Sequence, residues 1–246
     1  MSRRGHGIHS PFLFDLVTRV FRNSEGKDID NRIGLIRKNL RKDKRILRIE
    51  DLGAGGTGRG YRNARVCDVV RRSSVSPKYG QFLTNMAAEF GKDLIFELGT
   101  AAGISSMYMV MGAPGSRLLT IEGSEELAGL ASANFKEAGL SNITVLKGSF
   151  DTNLGVLSAM GAAPGLIYID GDHRKIPLLS YFDRLNQLSD AETVIIIDDI
   201  NHSPEMGEAW EEITKDERVA MTVDIYRMGI VFLKKGLTPG HYVIRY

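Results

Sequence analysis

The chain has 246 residues, 43% of them hydrophobic and 25% charged, an ordinary globular composition with enough length to bury a sizeable core. Its single cysteine, Cys67, excludes an intramolecular disulfide, and no stretch approaches the roughly 18 apolar residues of a membrane-spanning helix. The small net charge of +2 hides a basic first part, residues 1–80, and an acidic remainder, which fits either an anionic partner or a solvated basic face. With an N-terminal apolar run cut by Asp15 and a lone thiol, a cytoplasmic protein with no membrane partner is expected.

In SPFLFDLVTRVF the apolar residues Phe12, Leu13, Leu16, Val17, Val20 and Phe21 recur at helical spacing, with Ser10 as N-cap and Pro11 at the first helical position. Ile29, Ile33, Ile36 and Leu40 make a second helical stripe. Residues 41–72 show little periodicity but many arginines and glycines, and read as a weakly structured loop. Inside it lies IEDLGAGGTGRG, where Gly53, Gly55 and Gly58 match the G-x-G-x-x-G of a dinucleotide-binding turn. Ser76-Pro77 then caps a third helix, KYGQFLTNMAAEF, ended by Gly91. This divides the chain into a basic helical and loop extension, residues 1–75, and a main domain, residues 76–246.

After Gly91 the pattern alternates. DLIFEL, RLLTIE, NITVLKG, GLIYID and TVIIID are short apolar runs separated by helical stretches such as SSMYMVMG and SEELAGLASANFKEAG. Continuous apolar strands spaced by helices indicate an α/β fold with a parallel sheet covered on both faces. VAMTVDIY and GIVFLKK, close together near the end, suggest an antiparallel hairpin after five parallel strands. In such a sheet ligands bind beyond the carboxyl ends of the strands, where Glu97, Glu122, Asp170 and the pair Asp198-Asp199 stand.

Two glycine turns compete for a cofactor, and their context separates them. After Gly58 no clear second strand follows, and no acidic residue closes one at the distance that would hold a ribose. Around Gly99–Gly103 the strand DLIFEL precedes, a helix begins near Ser105, and the next strand ends in Glu122, which can accept two hydrogen bonds from adjacent ribose hydroxyls. Glu97 beside this turn disfavours an anionic pyrophosphate and tolerates a cationic ligand. S-adenosylmethionine carries an amino group and a sulfonium but no phosphate.

The pieces SPKYGQFL, FELGTAAGISS, TIEGSEELAGLASANF, IDGDH and IIIDDIN, spanning residues 76–201, resemble a class I S-adenosylmethionine-dependent methyltransferase of the small-molecule O-methyltransferase type, the catechol and caffeoyl-CoA group. The whole chain also looks like a bacterial methyltransferase family with the same core. The resemblance implies a Rossmann-like sheet of strand order 3-2-1-4-5-7-6. It implies that Glu97, Gly99, Thr100, Ala101 and Gly103 line the methionine part of the cofactor, with Ser105 and Ser106 near its carboxylate. Glu122 would bind the ribose, with Gly123 and Ser124 flanking the adenosine and Gly148, Ser149 and Phe150 along the adenine. Asp170 would sit near the sulfonium.

Metal-dependent relatives hold a divalent ion with a motif Asp and an Asp-Asn pair, and place a Lys three positions after the first Asp. Here Asp170, Asp198 and Asp199 match three ligand positions for Mg²⁺ or Ca²⁺, although Asp replaces Asn and Asn201 lies two further on. His173 stands where the Lys would be and can serve as a general base. Whether a metal is bound stays open at this point. His202, Trp210 and the arginines Arg59 and Arg62 are candidates for the substrate wall, Trp210 more readily for the core, and His6 and His9 reach the site only if their segment folds over it.

The expected activity is methyl transfer to an oxygen, or a nitrogen, of a small-molecule acceptor. RNA is the alternative acceptor, since the basic segment could track phosphates. A nicotinamide oxidoreductase using Gly53–Gly58 and a cofactor-binding protein without catalysis are readings from other classes. Oligomeric state is open, a homodimer included.

Overall fold

The computed structural model describes residues 10–23, 26–51 and 60–246. Helix α1 (Pro11–Asp15) starts at Ser10, whose hydroxyl accepts from the Leu13 amide at 3.4 Å, and continues as a π-helical stretch, Leu16–Phe21. Helix α2 (Lys27–Leu40) buries Ile33, Ile36 and Leu40, the face its stripe marks out.

The segment expected to be a weakly structured loop is instead a hairpin and a helix. Strands β1 (Ile46–Asp51) and β2 (Gly60–Arg65) pair antiparallel, and α3 (Val66–Ser73) follows directly. Among the β1 residues whose burial is described only Ile49 is buried, and β2 is exposed apart from Ala64, so the pair lacks the apolar alternation that betrays a strand. Polar contacts hold it instead: the Arg48 guanidinium lies 4.0 Å from the centroid of the Tyr61 ring on the facing strand. In α3, Val66, Val69 and Val70 supply the buried face, a pattern too short to stand out from its arginines. Gly53, Gly55, Gly58 and Arg59 lie outside the described residues, as do His6 and His9.

Helix α4 (Pro77–Phe90) begins and ends where Ser76-Pro77 and Gly91 suggest. Gly91 is right-handed, however, and is needed for space: a Cβ there would meet the Ala87 carbonyl oxygen at 2.5 Å. Strands and helices then alternate: β3 (Leu94–Leu98), α5 (Ile104–Gly112), β4 (Arg117–Glu122), α6 (Glu125–Glu137), β5 (Ile143–Lys147) and α7 (Phe150–Ala159). They are followed by β6 (Leu166–Ile169), α8 (Lys175–Gln187), β7 (Val194–Ile197), α9 (Pro204–Thr214), β8 (Met221–Asp224), β9 (Gly229–Phe232) and β10 (Gly240–Val243).

These strands form one sheet in the order β10-β8-β9-β7-β6-β3-β4-β5. Strands β3 to β7 pair in parallel, while β9 slots antiparallel between β7 and β8. This is the Rossmann-like order 3-2-1-4-5-7-6, with one addition. Strand β10, four mostly exposed residues, lies parallel to β8 at the edge, where its polar sequence gives little strand signal. One face of the sheet is covered by α4, α5 and α6 together with the N-terminal elements, so that Leu13, Ile33 and Val66 share a core with Phe82, Tyr108 and Phe232. Helices α7, α8 and α9 cover the other face around Phe96, Phe182 and Trp210. Among the described residues no helix is long and apolar enough to cross a membrane.

Candidate active site

The carboxyl ends of β3, β4, β5 and β6 open on a cavity of about 770 Å³, within the roughly 300–1,000 Å³ of small-molecule sites. Its floor is the turn after β3. Gly99 has φ 101°, and a Cβ on it would lie 2.1 Å from the Asp170 carbonyl oxygen, so the two strand ends meet only because this residue has no side chain. Gly103, φ 79°, opens α5 with the Phe135 ring against its Cα. Between them Thr100 bonds Thr120 through their hydroxyls at 2.6 Å, tying the turn to β4.

Glu122 closes β4 and faces the cavity. One carboxylate oxygen accepts from the Ala101 amide at 2.8 Å and the other from the Ser124 amide at 2.9 Å, so the group is fixed between two loops and keeps lone pairs for a ligand. Burial nonetheless raises its pKa, the backbone amides of Ser124, Ala101 and Gly123 opposing that shift. Gly123, Gly148, Ser149 and Phe150 line the cavity on the far side. Ser149 caps α7 by accepting from the Thr152 amide, and Phe150 packs edge-on to Tyr181, ring centroids 5.4 Å apart.

Not every expected residue reaches the cavity wall. Glu97 does not close its strand but lies inside β3, fully buried, with its oxygens held by the hydroxyls of Ser105, at 2.6 Å, and Ser106. Its alternation on the strand turns it toward the first turn of α5, away from the cavity. Desolvation outweighs the serine hydrogen bonds and pushes it to about 7. Glu97, Gly103, Ser106 and Ser124 thus support the wall from behind, whereas Gly99, Thr100, Ala101 and Ser105 are on it.

At the ends of β6 and β7 the acidic residues gather as expected, with one difference. Asp170 lines the cavity, and His173 Nε2 stands 3.7 Å from its carboxylate. Burial and the neighbouring Asp198 and Asp199 raise the Asp170 pKa well above the ordinary carboxylate range, while burial lowers that of His173 and favours its neutral form. The difference is Asp198. It is fully buried, and Arg227 grips it bidentately, Nε to Oδ1 and Nη2 to Oδ2, both at 2.8 Å. Oδ2 also accepts from the Tyr168 hydroxyl at 2.8 Å and Oδ1 from the Asp199 amide at 2.9 Å. The expected ligand set Asp170, Asp198 and Asp199 is therefore not offered to a divalent ion, because Asp198 already holds a cation.

What remains is Asp170, His173 and Asp199, whose ligand atoms lie within 4.8 Å of one another, with the Arg227 Nε 3.4 Å from Asp199. Two carboxylates and an imidazole remain, one carboxylate short of the expected set, and the guanidinium beside Asp199 weakens the pull of this group on a divalent ion.

The N-terminal elements complete the cavity. Ile49 and Glu50 of β1, Arg62 of β2, and Arg72 of α3 with Ser73 and Ser74 line it, and Arg62 and Arg72 carry no ion pair among the described residues. Arg62 was expected at the substrate wall. Arg72, Arg174, Tyr181 and Arg227 were not, since none sits in a motif and Arg227 is 28 residues beyond Asp199 in sequence. The His202 ring lies tilted at 38° to that of His173, centroids 5.7 Å apart, and Trp210 is buried with Met206 and Ile213 on the inner face of α9, as its helical spacing requires. Asn201 turns away to the Tyr226 carbonyl at 2.6 Å.

Residues 96–200 match a family model described as a methyltransferase domain. A catechol O-methyltransferase of Niastella koreensis is 37% identical over 130 residues, 52% of this chain and 58% of that protein, so the chain spans less than two thirds of the relative. An O-methyltransferase from Bacillus cereus, solved with S-adenosylhomocysteine, superposes with a TM-score of 0.60 over 89% of this chain and 96% of that one at 20% identity. The cofactor-bound protein Rv0187 from MTB superposes at 0.62 over 96% and 99%, at 18% identity. Residues 96–200 are thus similar to a methyltransferase domain, and the fold is that of the superposed O-methyltransferase structure.

Proposed function

We propose that the protein is an S-adenosylmethionine-dependent methyltransferase that methylates an oxygen of a small-molecule acceptor. The observation that carries this is Glu122: a carboxylate at the end of the second parallel strand, fixed by the Ala101 and Ser124 amides on the wall of the cavity. A cavity of about 770 Å³ is of small-molecule size, which supports a small acceptor over RNA, whose binding would need a run of stacking surfaces.

When bound, the cofactor supplies a methyl carbon made electrophilic by its sulfonium: the acceptor oxygen forms the new C–O bond as the C–S electron pair leaves to sulfur. The work of the chain is placement. Glu122 would accept the ribose hydroxyls; Gly99, Thr100, Ala101 and Ser105 would bound the methionine end; Gly148, Ser149 and Phe150 would border the adenine. Asp170 and His173 stand at the reacting end, and a neutral His173 can take the proton that the acceptor oxygen gives up. Holding oxygen, carbon and sulfur in line then supplies much of the rate.

Calorimetric titration tests the reading. S-adenosylhomocysteine should bind and NAD should not, and Glu122→Ala should weaken the former at least about tenfold, the cost of one charge-assisted hydrogen bond. Binding of NAD alone, or full retention of affinity in Glu122→Ala, would overturn it.

A further inference from the structure

Asp198 ends a central strand at the place where a catalytic cation is expected, and its partner is a side chain of the protein. Both its oxygens are saturated by Arg227, the Tyr168 hydroxyl and the Asp199 amide. Arg227 is held as firmly as its partner. Its carbonyl accepts from the Ile200 amide at 3.1 Å, its guanidinium lies 5.5 Å from the centroid of the Tyr79 ring, and Nε is also 3.4 Å from Asp199. The backbone leaves no freedom either, because β9 pairs with β7 and sets Gly229 opposite Ile197, immediately before Asp198.

We propose that the Arg227 guanidinium takes the place of a divalent cation in this site, so that methyl transfer here is metal-independent and Arg227 positions the acceptor oxygen. The proposal rests on the methyltransferase reading above. Its chemistry follows from the fork. Nε and Nη2 are spent on Asp198, whereas Nη1 has no partner among the described residues and Arg227 lines the cavity. A planar donor whose one edge is anchored presents the other in a fixed direction, which suits an oxygen gaining negative charge. A metal would do the same by coordination, but any ion seated among Asp170, His173 and Asp199 would stand against a permanent positive charge. The acceptor class that fits is a phenol, enol or other acidic hydroxyl, whose oxygen can rest against a guanidinium.

The test uses the full chain, Mn²⁺ as probe and S-adenosylhomocysteine binding as the sign of a folded site. Wild type should show no Mn²⁺ binding by calorimetry, and its melting temperature should be unmoved by Mn²⁺ or EDTA. Arg227→Met, which leaves Asp198 buried without its cation, should melt lower; Mn²⁺ should then bind about tenfold or more tighter than to wild type and restore part of the melting temperature. Arg227→Lys keeps a charge without the fork and should still reject Mn²⁺. Stoichiometric Mn²⁺ binding by wild type that is lost in Asp199→Asn would overturn the proposal. So would Arg227→Met that binds S-adenosylhomocysteine yet gains no Mn²⁺ site. If that variant fails to bind S-adenosylhomocysteine, wild type and Arg227→Lys decide, Mn²⁺ binding to either counting against the proposal. Loss of S-adenosylhomocysteine binding in wild type itself would instead mark failure of the methyltransferase reading.

Discussion

Glu97 and Gly99 stand two residues apart and illustrate two kinds of constraint. Glu97 is fully buried with a pKa raised from 4.5 to about 7, so the folded state keeps a proton that the unfolded chain releases from pH 4.5 upward. Its contribution to stability is therefore fully present below pH 4.5 and is lost as pH rises to 7, a change of about 3 kcal/mol. Glu97→Gln keeps the volume and removes the titration. Urea unfolding from pH 4.5 to 8 should show wild type losing about that much relative to the variant, and parallel curves would mean that Glu97 does not titrate there. Gly99 is constrained by space and conformation together, since φ 101° is costly for other residues and its Cβ would collide with the Asp170 backbone. Gly99→Val should cost about 2 kcal/mol or more and abolish S-adenosylhomocysteine binding, whereas Gly55→Val should leave binding intact. Glu122 and Asp170 are legible in the sequence because each closes an apolar run. Tyr168 is not, since a tyrosine inside an apolar strand looks like core until its hydroxyl is seen bonding Asp198.

At the scale of elements, two contacts decide what the N-terminal segments do. The hairpin is moored to α6 by the Arg48 amide, which donates to Glu126 at 2.6 Å, and this brings Arg62 over the cavity beside Arg72 of α3. Unpaired arginines at a cavity wall favour a carboxylate or similar anion. The double substitution Arg62→Ala with Arg72→Ala should weaken S-adenosylhomocysteine, the available carboxylate-bearing probe, by about tenfold and leave the urea midpoint unchanged. Unaltered affinity would free these arginines from the cofactor. Helices α4 and α5 meet closely through Gly80, where a Cβ would lie 2.3 Å from the Tyr108 ring. Tyr108 cannot swing aside, because its hydroxyl donates to Asp30 of α2. Gly80→Ala should therefore destabilise by about 1–3 kcal/mol through overpacking, measurable as a lower urea midpoint with the same slope. The helices α1 and α2 are readable from their stripes and α4 from Ser76-Pro77 and Gly91 at its ends. The hairpin was not, because its side chains make polar and cation–π contacts instead of an apolar face.

Over the whole molecule, the described residues between 10 and 75 contribute to the core of the sheet domain. Phe12 packs edge-on to Phe232 at 5.2 Å, and the Asn85 side chain donates to the Val20 carbonyl at 2.8 Å. A chain trimmed to residues 76–246 would expose this face, and we expect it to lose cooperative thermal unfolding by circular dichroism; a sharp transition would show that the sheet domain stands alone. The sequence by itself determined the alternating α/β architecture, the five parallel strands with their hairpin, and the glycine turn of FELGTAAGISS at a strand end on the cavity. Those rest on local periodicity and on residues at strand ends, which neighbours in the chain suffice to define. Only the tertiary structure decided that Glu97 faces α5, that the basic hairpin walls the cavity, and that Arg227 grips Asp198. Each of these depends on which strand lies beside which: inserting β9 between β7 and β8 carries Arg227 to residues far from it in the chain, and no one-dimensional pattern records that pairing.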